Sequence, residues 1–185
     1  MSEEIEPGLG LSDSSGGVSA LSRGASMYLS ATGQKQGPIE GNSTTKGQEH
    51  KVELLGVEEM IVNPTDIASG QPSGRRMHFP VHVAFKLDKS GPKWCIAIDT
   101  NENLTKVEID CWSAISKESG IGQGTGFKLI YKIELKNANL SEVRHFTAVN
   151  GELCMALAFT YQTITVTWAD GNITGKDDWL SDAKG

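Results

Sequence analysis

The side chains of this 185-residue chain with the widest chemical reach are four histidines, three cysteines and the carboxylate pairs Glu58–Glu59 and Asp177–Asp178. Their spacing suits little chemistry. His78 and His82 stand four apart, a zinc-like interval on a helix, but Pro80 lies between them. On a strand that interval spans about 13 Å. One metal ion with ligands near ~2 Å cannot take both without a bend, so a metal site requires separate strands to converge. His50 and His145 complete no set. Cys95, Cys111 and Cys154 are odd in number, form no CxxC pair and lie near no histidine in sequence, which reads as buried thiols acting as small hydrophobes. Glu58 and Glu59 face opposite ways on a strand and cannot share one scissile bond. Asp177 and Asp178 sit in a polar tail and read as solvated. There is no GxSxG. "GIGQGTG" at 120–126 fits neither GxGxxG nor the P-loop pattern and reads as a mobile hairpin loop. No catalytic residue, metal set or cofactor motif is expected.

The paired Arg75 and Arg76 are the one charge feature of an unusually long connection, "NPTDIASGQPSGRRMH" at 63–78. Two readings stand: a pair of solvated arginines, or a contact for a partner's carboxylate, which guanidinium forks suit. Pro64, Pro72, Gly70 and Gly74 punctuate the stretch at irregular intervals, and no helix or strand period survives in it. Structureless loops beyond roughly 12 residues are mostly functional or disordered.

The elements that must hold this loop are strands. "FPVHVAFKLDK" puts Phe79, Val81, Val83, Phe85 and Leu87 on one face, and "FKLIYKIELK" repeats the device with Leu129, Tyr131, Ile133 and Leu135. "HKVELLGVEEMIV", "TKVEIDCWSAI", "EVRHFTAV" and "GELCMALAFTYQTITVTWAD" add four more runs. In the last, the apolar positions pass from odd (Leu153 to Tyr161) to even (Ile164, Val166, Trp168) near Gln162 and Thr163. A one-residue slip exchanges the faces of a strand, so a bulge, a sharp bend or a run buried on both sides is predicted there. "SGPKWCIAIDTNEN" is the one helix candidate, with Ser90 able to cap and Pro92 suited to a first turn, but its apolar run defeats periodicity. The pattern is all-β with one short helix, a barrel or sandwich.

At 38% hydrophobic, the length argues for one domain. The formal net charge of −6 offers nucleic acid no attraction. The acids concentrate at the ends, leaving residues 27–169 with 15 acids and 14 bases, a nearly neutral body whose copies repel one another weakly. Residues 1–26 are Gly/Ser-rich and expected to be a flexible arm. The start carries acids where a signal peptide is basic, and no run approaches the ~18 apolar residues of a membrane span, so neither general secretory export nor membrane insertion is expected.

Five stretches occur in one order: "GQKQGPIEG" at 33–41, "TTKG", "NPTDIASGQPSGRRMH", "FKLDKSGP" and "FTYQTITVTWADGNITGKDDW". Together, from about Met27 to Trp179, the chain resembles the haemolysin-coregulated protein (Hcp) family of bacterial type VI secretion systems. The motif residues are Gly33, Gln34, Lys35, Gln36 and Gly37, then Tyr161, Gln162, Trp168, Asp177, Asp178 and Trp179. The resemblance implies a closed β-barrel of two packed antiparallel sheets over 27–180, one helix at 90–103, a long protruding loop and a short tail at 181–185. It also implies a non-enzymatic inner-tube subunit: a homo-hexameric ring stacking into tubes, with a spike protein at the tip, a contractile sheath outside and small effectors in the lumen. Such a protein waits in the bacterial cytoplasm and is then secreted through the apparatus. No effector domain is expected after Trp179. Ring stacking falls by analogy to the long loop, with Asn63, Pro64, Asp66, Ser69, Gly70, Pro72, Gly74, Arg75, Arg76 and His78 as its residues. Replacing both arginines with glutamate is expected to weaken stacking and spare rings. The alternatives are a tube protein of a phage-like contractile injection particle, or a ring-shaped effector-binding chaperone.

Overall fold

The computed structural model describes residues 26–114 and 127–179. The elements in chain order are β1 (Ser26–Gly33), β2 (Gly37–Ile39), β3 (Val52–Glu58), β4 (Ile61–Val62), β5 (Met77–His78), β6 (Val81–Lys86), α1 (Gly91–Asp99), β7 (Leu104–Ala114), β8 (Phe127–Thr147), β9 (Leu153–Trp168) and β10 (Ile173–Asp178). The sheet runs β9-β6-β3-β1-β7-β8, and β8 pairs with β9 to close it, so six antiparallel strands form a barrel with no free edge around its girth. β10 extends the sheet from β9 and β2 from β1, while β4 and β5 form a separate two-stranded sheet. The closed barrel, the helix and the protruding loop are as expected. No helix among the described residues is long and apolar enough to cross a membrane.

Alternation builds the interior. Val81, Val83 and Phe85 of β6 are buried with Ile133 and Leu135 of β8 and Val107 and Ile109 of β7. Phe79 and Leu87 lie outside β6, and Leu87 is exposed, so the strand is shorter than its apolar period. The outer face of β7 and β8 alternates charge. The register sets Glu108 opposite Glu134 and Lys106 opposite Lys136. Like charges directly opposite are unfavourable, and the ladder answers diagonally, with Lys132 on Glu108 and Lys106 on Glu134 at 3.7 Å, and along each strand, with Lys106 on Glu108 at 3.0 Å and Lys136 on Glu134 at 3.4 Å.

The phase change in the last long run is real. Met155, Leu157 and Phe159 enter the core, then Ile164 does. β8 changes phase at the same level, from Ile133 and Leu135 to Ala138 and Leu140. The Asn137–Gln162 pair drops out of a ladder that keeps its register on both sides, and Asn137 stands at φ 48°. Asn tolerates this left-handed backbone better than most residues, and its Nδ2 donates to Gln162 Oε1 at 2.8 Å. The shift in register lies further along, between Leu140 and Glu142. The other edge of β9 changes partner at this level, from β6 at residues 154–159 to β10 at 163–168.

Three boundaries differ from the sequence reading. "FKLIYKIELK" and "EVRHFTAV" are one strand, β8, because partners on β9 continue past Asn137. "HKVELLGVEEMIV" splits at Glu59 and Met60, where β3 leaves the barrel and β4 joins the separate sheet. The helix spans 91–99 rather than 90–103, with Asn101 at φ 46° ending the turn that follows it. Ser90 does not cap with its side chain. Its hydroxyl instead donates to Asp88 Oδ1 at 2.5 Å and accepts from Trp94 Nε1 at 2.9 Å. Pro92 occupies the first turn as expected. Cys111 and Cys154 are buried and Cys95 is half-buried against the core, and all three are free thiols. The expected N-terminal arm, the 120–126 loop and the 181–185 tail lie outside the described residues.

Candidate functional site

The GQKQG stretch is the turn between β1 and β2, and it closes over a carboxylate that the sequence did not single out. Glu102, 2% exposed, accepts from the Lys35 and Gln36 amides at 2.7 Å each through Oε1 and from Gln36 Nε2 at 2.7 Å through Oε2. Burial pushes its carboxyl up, but the Gln36 and Lys35 hydrogen bonds outweigh this and hold it below the usual range. Gln34 N donates to Asn103 O at 2.9 Å. Gly37 has φ 68°, a conformation that favours glycine. A Cβ on Gly33 would stand 2.5 Å from Glu102 Oε1. Gly33→Ala is therefore expected to cost about 1–3 kcal/mol, read as a lower urea midpoint at unchanged slope.

The long loop is an ordered hairpin. β4 and β5 form its root, with Ile61 opposite His78 and Val62 opposite Met77. Above Asn63, Ser73 N donates to Pro64 O at 2.9 Å and Thr65 bridges Pro72. The tip is built on Asp66. Its Oδ1 accepts from the Ala68 and Ser69 amides at 2.8 Å each, and its carbonyl accepts from Gly70, which has φ 68°. Gly74 passes near the Pro64 ring. Ile67 is fully exposed there.

Where the hairpin returns, it meets the closing string. Arg76 Nε and Nη2 bond both carboxylate oxygens of Asp177, and Nη2 also reaches Asp178 O at 3.2 Å. His78 Nε2 lies 2.7 Å from Asp177 Oδ2 and Nδ1 lies 2.9 Å from the Tyr161 hydroxyl. A carboxylate can only accept, so Nε2 carries a proton. With a single proton on the ring, Tyr161 donates to Nδ1. The Trp179 ring packs on the imidazole, centroids 5.4 Å apart, and its amide donates to Gln162 O at 2.9 Å. Asp178 turns the other way and accepts from Thr163 Oγ1 at 3.3 Å. A groove of about 440 Å³ runs past His78, Tyr161, Gln162 and Trp179 to Asn137 and Thr160.

Two expectations change. Asp177 and Asp178 are not a solvated tail: they end β10, and Asp177 joins the hairpin to the barrel. Arg76 is neither simply solvated nor reserved for a partner's carboxylate, because it holds one of its own chain. Tyr161, Gln162, Asp177, Asp178 and Trp179 gather here with Arg76 and His78, while Trp168 lies further along β9 opposite Ile173 and Tyr131. The Gly33–Gly37 turn belongs to the separate Glu102 cluster. Arg75 is exposed on the hairpin. Of the residues that sequence reasoning missed, Asn137 had a signal in its type, whereas Glu102 in "TNEN" had none.

The hydrogen bonds from Arg76 come first among the causes that hold the Asp177 carboxyl below the usual range; partial burial opposes them and His78 adds to them. Burial, with Glu59 and Asp177 nearby, pushes the Tyr161 hydroxyl well up, so it stays protonated. Because Asp177 is depressed in the folded state, its contribution is full above the unfolded value of about 3.9 and is lost only as pH falls through the lower folded value. The hairpin anchor is expected to be intact at pH 5, shown by unchanged His78 ring–Trp179 nuclear Overhauser contacts between pH 7 and 5; loss of those contacts at pH 5 would contradict the assignment.

A closed six-stranded barrel carrying one helix and a side-chain-anchored hairpin defines the class as a mainly-β barrel protein. A sequence model of the family described as "Type VI secretion system effector, Hcp" matches residues 28–168. The chain is 31% identical over 179 residues to the "Major exported protein" of Pseudomonas aeruginosa, covering 85% of this chain and 97% of that one. It is similar to the secreted protein Hcp3 of P. aeruginosa (26% identity, TM-score 0.68, 85% of this chain and 99% of that one). In fold it matches Hcp1 of Escherichia coli EAEC 042 (22% identity, TM-score 0.74, 84% and 99%). The chain belongs to the Hcp family of type VI secretion.

Proposed function

We propose that this chain is the structural subunit of a type VI inner tube. Six copies form a ring with an open centre, and rings stack head to tail into a tube with a spike protein at its tip and a contractile sheath around it. Small effectors travel in the lumen. The subunit is held in the cytoplasm and leaves through the apparatus without a signal peptide. The observation that carries the reading is the hairpin at 63–78, an ordered projection with a fully exposed Ile67 at its tip, on a chain of this family. A nearly neutral body adds little repulsion between copies.

The hairpin is the stacking contact, and its two arginines divide the work: Arg75 lies on its surface and Arg76 at its root. Arg76→Glu would set two acids against each other inside one subunit, so the double glutamate variant tests anchor and contact together. A cleaner test replaces residues 66–71 with a short Gly-Ser turn above the Pro64–Ser73 hydrogen bond. Rings of unchanged mass with stacks lost, seen by light scattering and negative-stain microscopy, are the expected result. Stacks of normal length would refute the assignment.

A further inference from the structure

We infer that Asp177 is the positioning residue of the stacking hairpin: its one carboxylate takes both the Arg76 guanidinium and the His78 imidazole and so sets the angle at which the hairpin leaves the barrel. This rests on the stacking reading above.

The backbone ties the hairpin to the barrel sparingly. β4 and β5 share only two residue pairs in a sheet separate from the barrel, and among the described residues the bond from the Phe79 amide to Met60 O is the one further backbone bond between them and the β3–β6 pair. An isolated two-stranded hairpin is marginal in water, and nothing in its ladder ties it to β9 or β10. The side chains do. Arg76, just before β5, and His78 both reach Asp177 near the end of β10, and Trp179, just past β10, packs on His78. The fork of Arg76 covers both oxygens of Asp177, which fixes direction as well as distance. His78 brings Oδ2 a second donor at 2.7 Å and is itself held by Tyr161 at 2.9 Å and by the Trp179 ring. Its side chain is only 3% exposed, against 27% for Asp177. The root is thus packed on one side and charged on the other. β10 pairs with β9 over its whole length from Ile173 to Asp178, so the carboxylate stands on the barrel wall. Loss of the carboxylate frees the hairpin to swing without opening the barrel, and a ring whose projections swing stacks poorly.

The test is amide hydrogen exchange on the full chain for Asp177→Asn, Arg76→Gln and the double variant. The reporters are the Phe79 amide, bonded to Met60 O at 3.0 Å, and the Ser73 amide. Each single variant is expected to exchange roughly tenfold or more faster at these amides, with β8 and β9 amides unchanged. The double variant is expected to be no faster than the singles, because both remove the same contact. Unchanged exchange in both singles, or effects that simply add in the double, would overturn the inference. If Asp177→Asn fails to fold, Arg76→Gln carries the same decision, since Arg76 lies outside the barrel ladder. Stack length measured on the same samples separates the two claims: a loosened hairpin with normal stacks supports Asp177 as the anchor and refutes the hairpin as the stacking contact.

Discussion

Trp94→Ala is expected to destabilise the protein by about 3–5 kcal/mol, the range for truncating a buried aromatic. Trp94 is 0% exposed and meets Phe159 of β9 edge to face, with ring centroids 5.9 Å apart. It also donates to Ser90 Oγ at 2.9 Å, a buried bond that positions the start of α1. The substitution leaves a cavity, takes from that hydroxyl the donor it accepts from while its bond to Asp88 remains, and removes the main tie of the helix, which otherwise fully buries only Gly91 and Ala97. For a chain of this length the melting temperature should fall by about 6–20 °C. Trp94→Phe keeps most of the contact and loses the hydrogen bond, so its cost is expected near 1–3 kcal/mol. Equal losses for the two variants would mean that the ring volume does not matter.

Glu102→Gln is the second large effect. The volume is unchanged, but an amide cannot accept at both ends, so its NH2 faces either the backbone donors of Lys35 and Gln36 or the Gln36 side chain. Hydrogen bonds to a charged group contribute about 1.5–3 kcal/mol each, and the substitution is expected to cost at least that much at pH 7. The pH dependence gives an independent check. Glu102 is depressed in the folded state, so its contribution is full above the unfolded value of about 4.3 and lost as pH falls through the folded one. The gap in stability between wild type and Glu102→Gln should shrink below pH 4, measured by urea unfolding. A gap that is constant from pH 7 to 3 would remove the carboxylate from the account.

Much of the barrel was legible because period-2 patterns report burial directly. Val81, Val83 and Phe85 read as one face and are one. The exchange at Gln162 and Thr163 was legible for the same reason, since a strand that changes which face is apolar must break somewhere. The continuity of β8 was not: the polar "KNANLSEV" looks like a connection, yet its backbone stays paired to β9 while its side chains change face. The helix run was ambiguous because Trp94 to Ile98 is apolar at every position, and family resemblance placed it too long by several residues.

The site was harder to read for a physical reason. Arg76 and Asp177 are 101 residues apart and meet only because β6 and β10 pair in succession along one edge of β9, which brings the end of β10 beside the hairpin root. Nothing local marks Asp177 as bound, since its neighbours are polar and the strand lies at a sheet edge. Family motifs flagged Tyr161, Asp177 and Trp179 without saying that they share one contact with Arg76 and His78. Glu102 illustrates the opposite case, where the motif Gly33–Gly37 was visible and the carboxylate it wraps was not.

The most direct test of the account is the mass and shape of the full chain at neutral pH, by light scattering with negative-stain electron microscopy. Six-membered rings with an open centre, alone or in short stacks, are the predicted result. A monomer that persists at high concentration would contradict the tube-subunit reading and leave the anchored hairpin without its proposed partner.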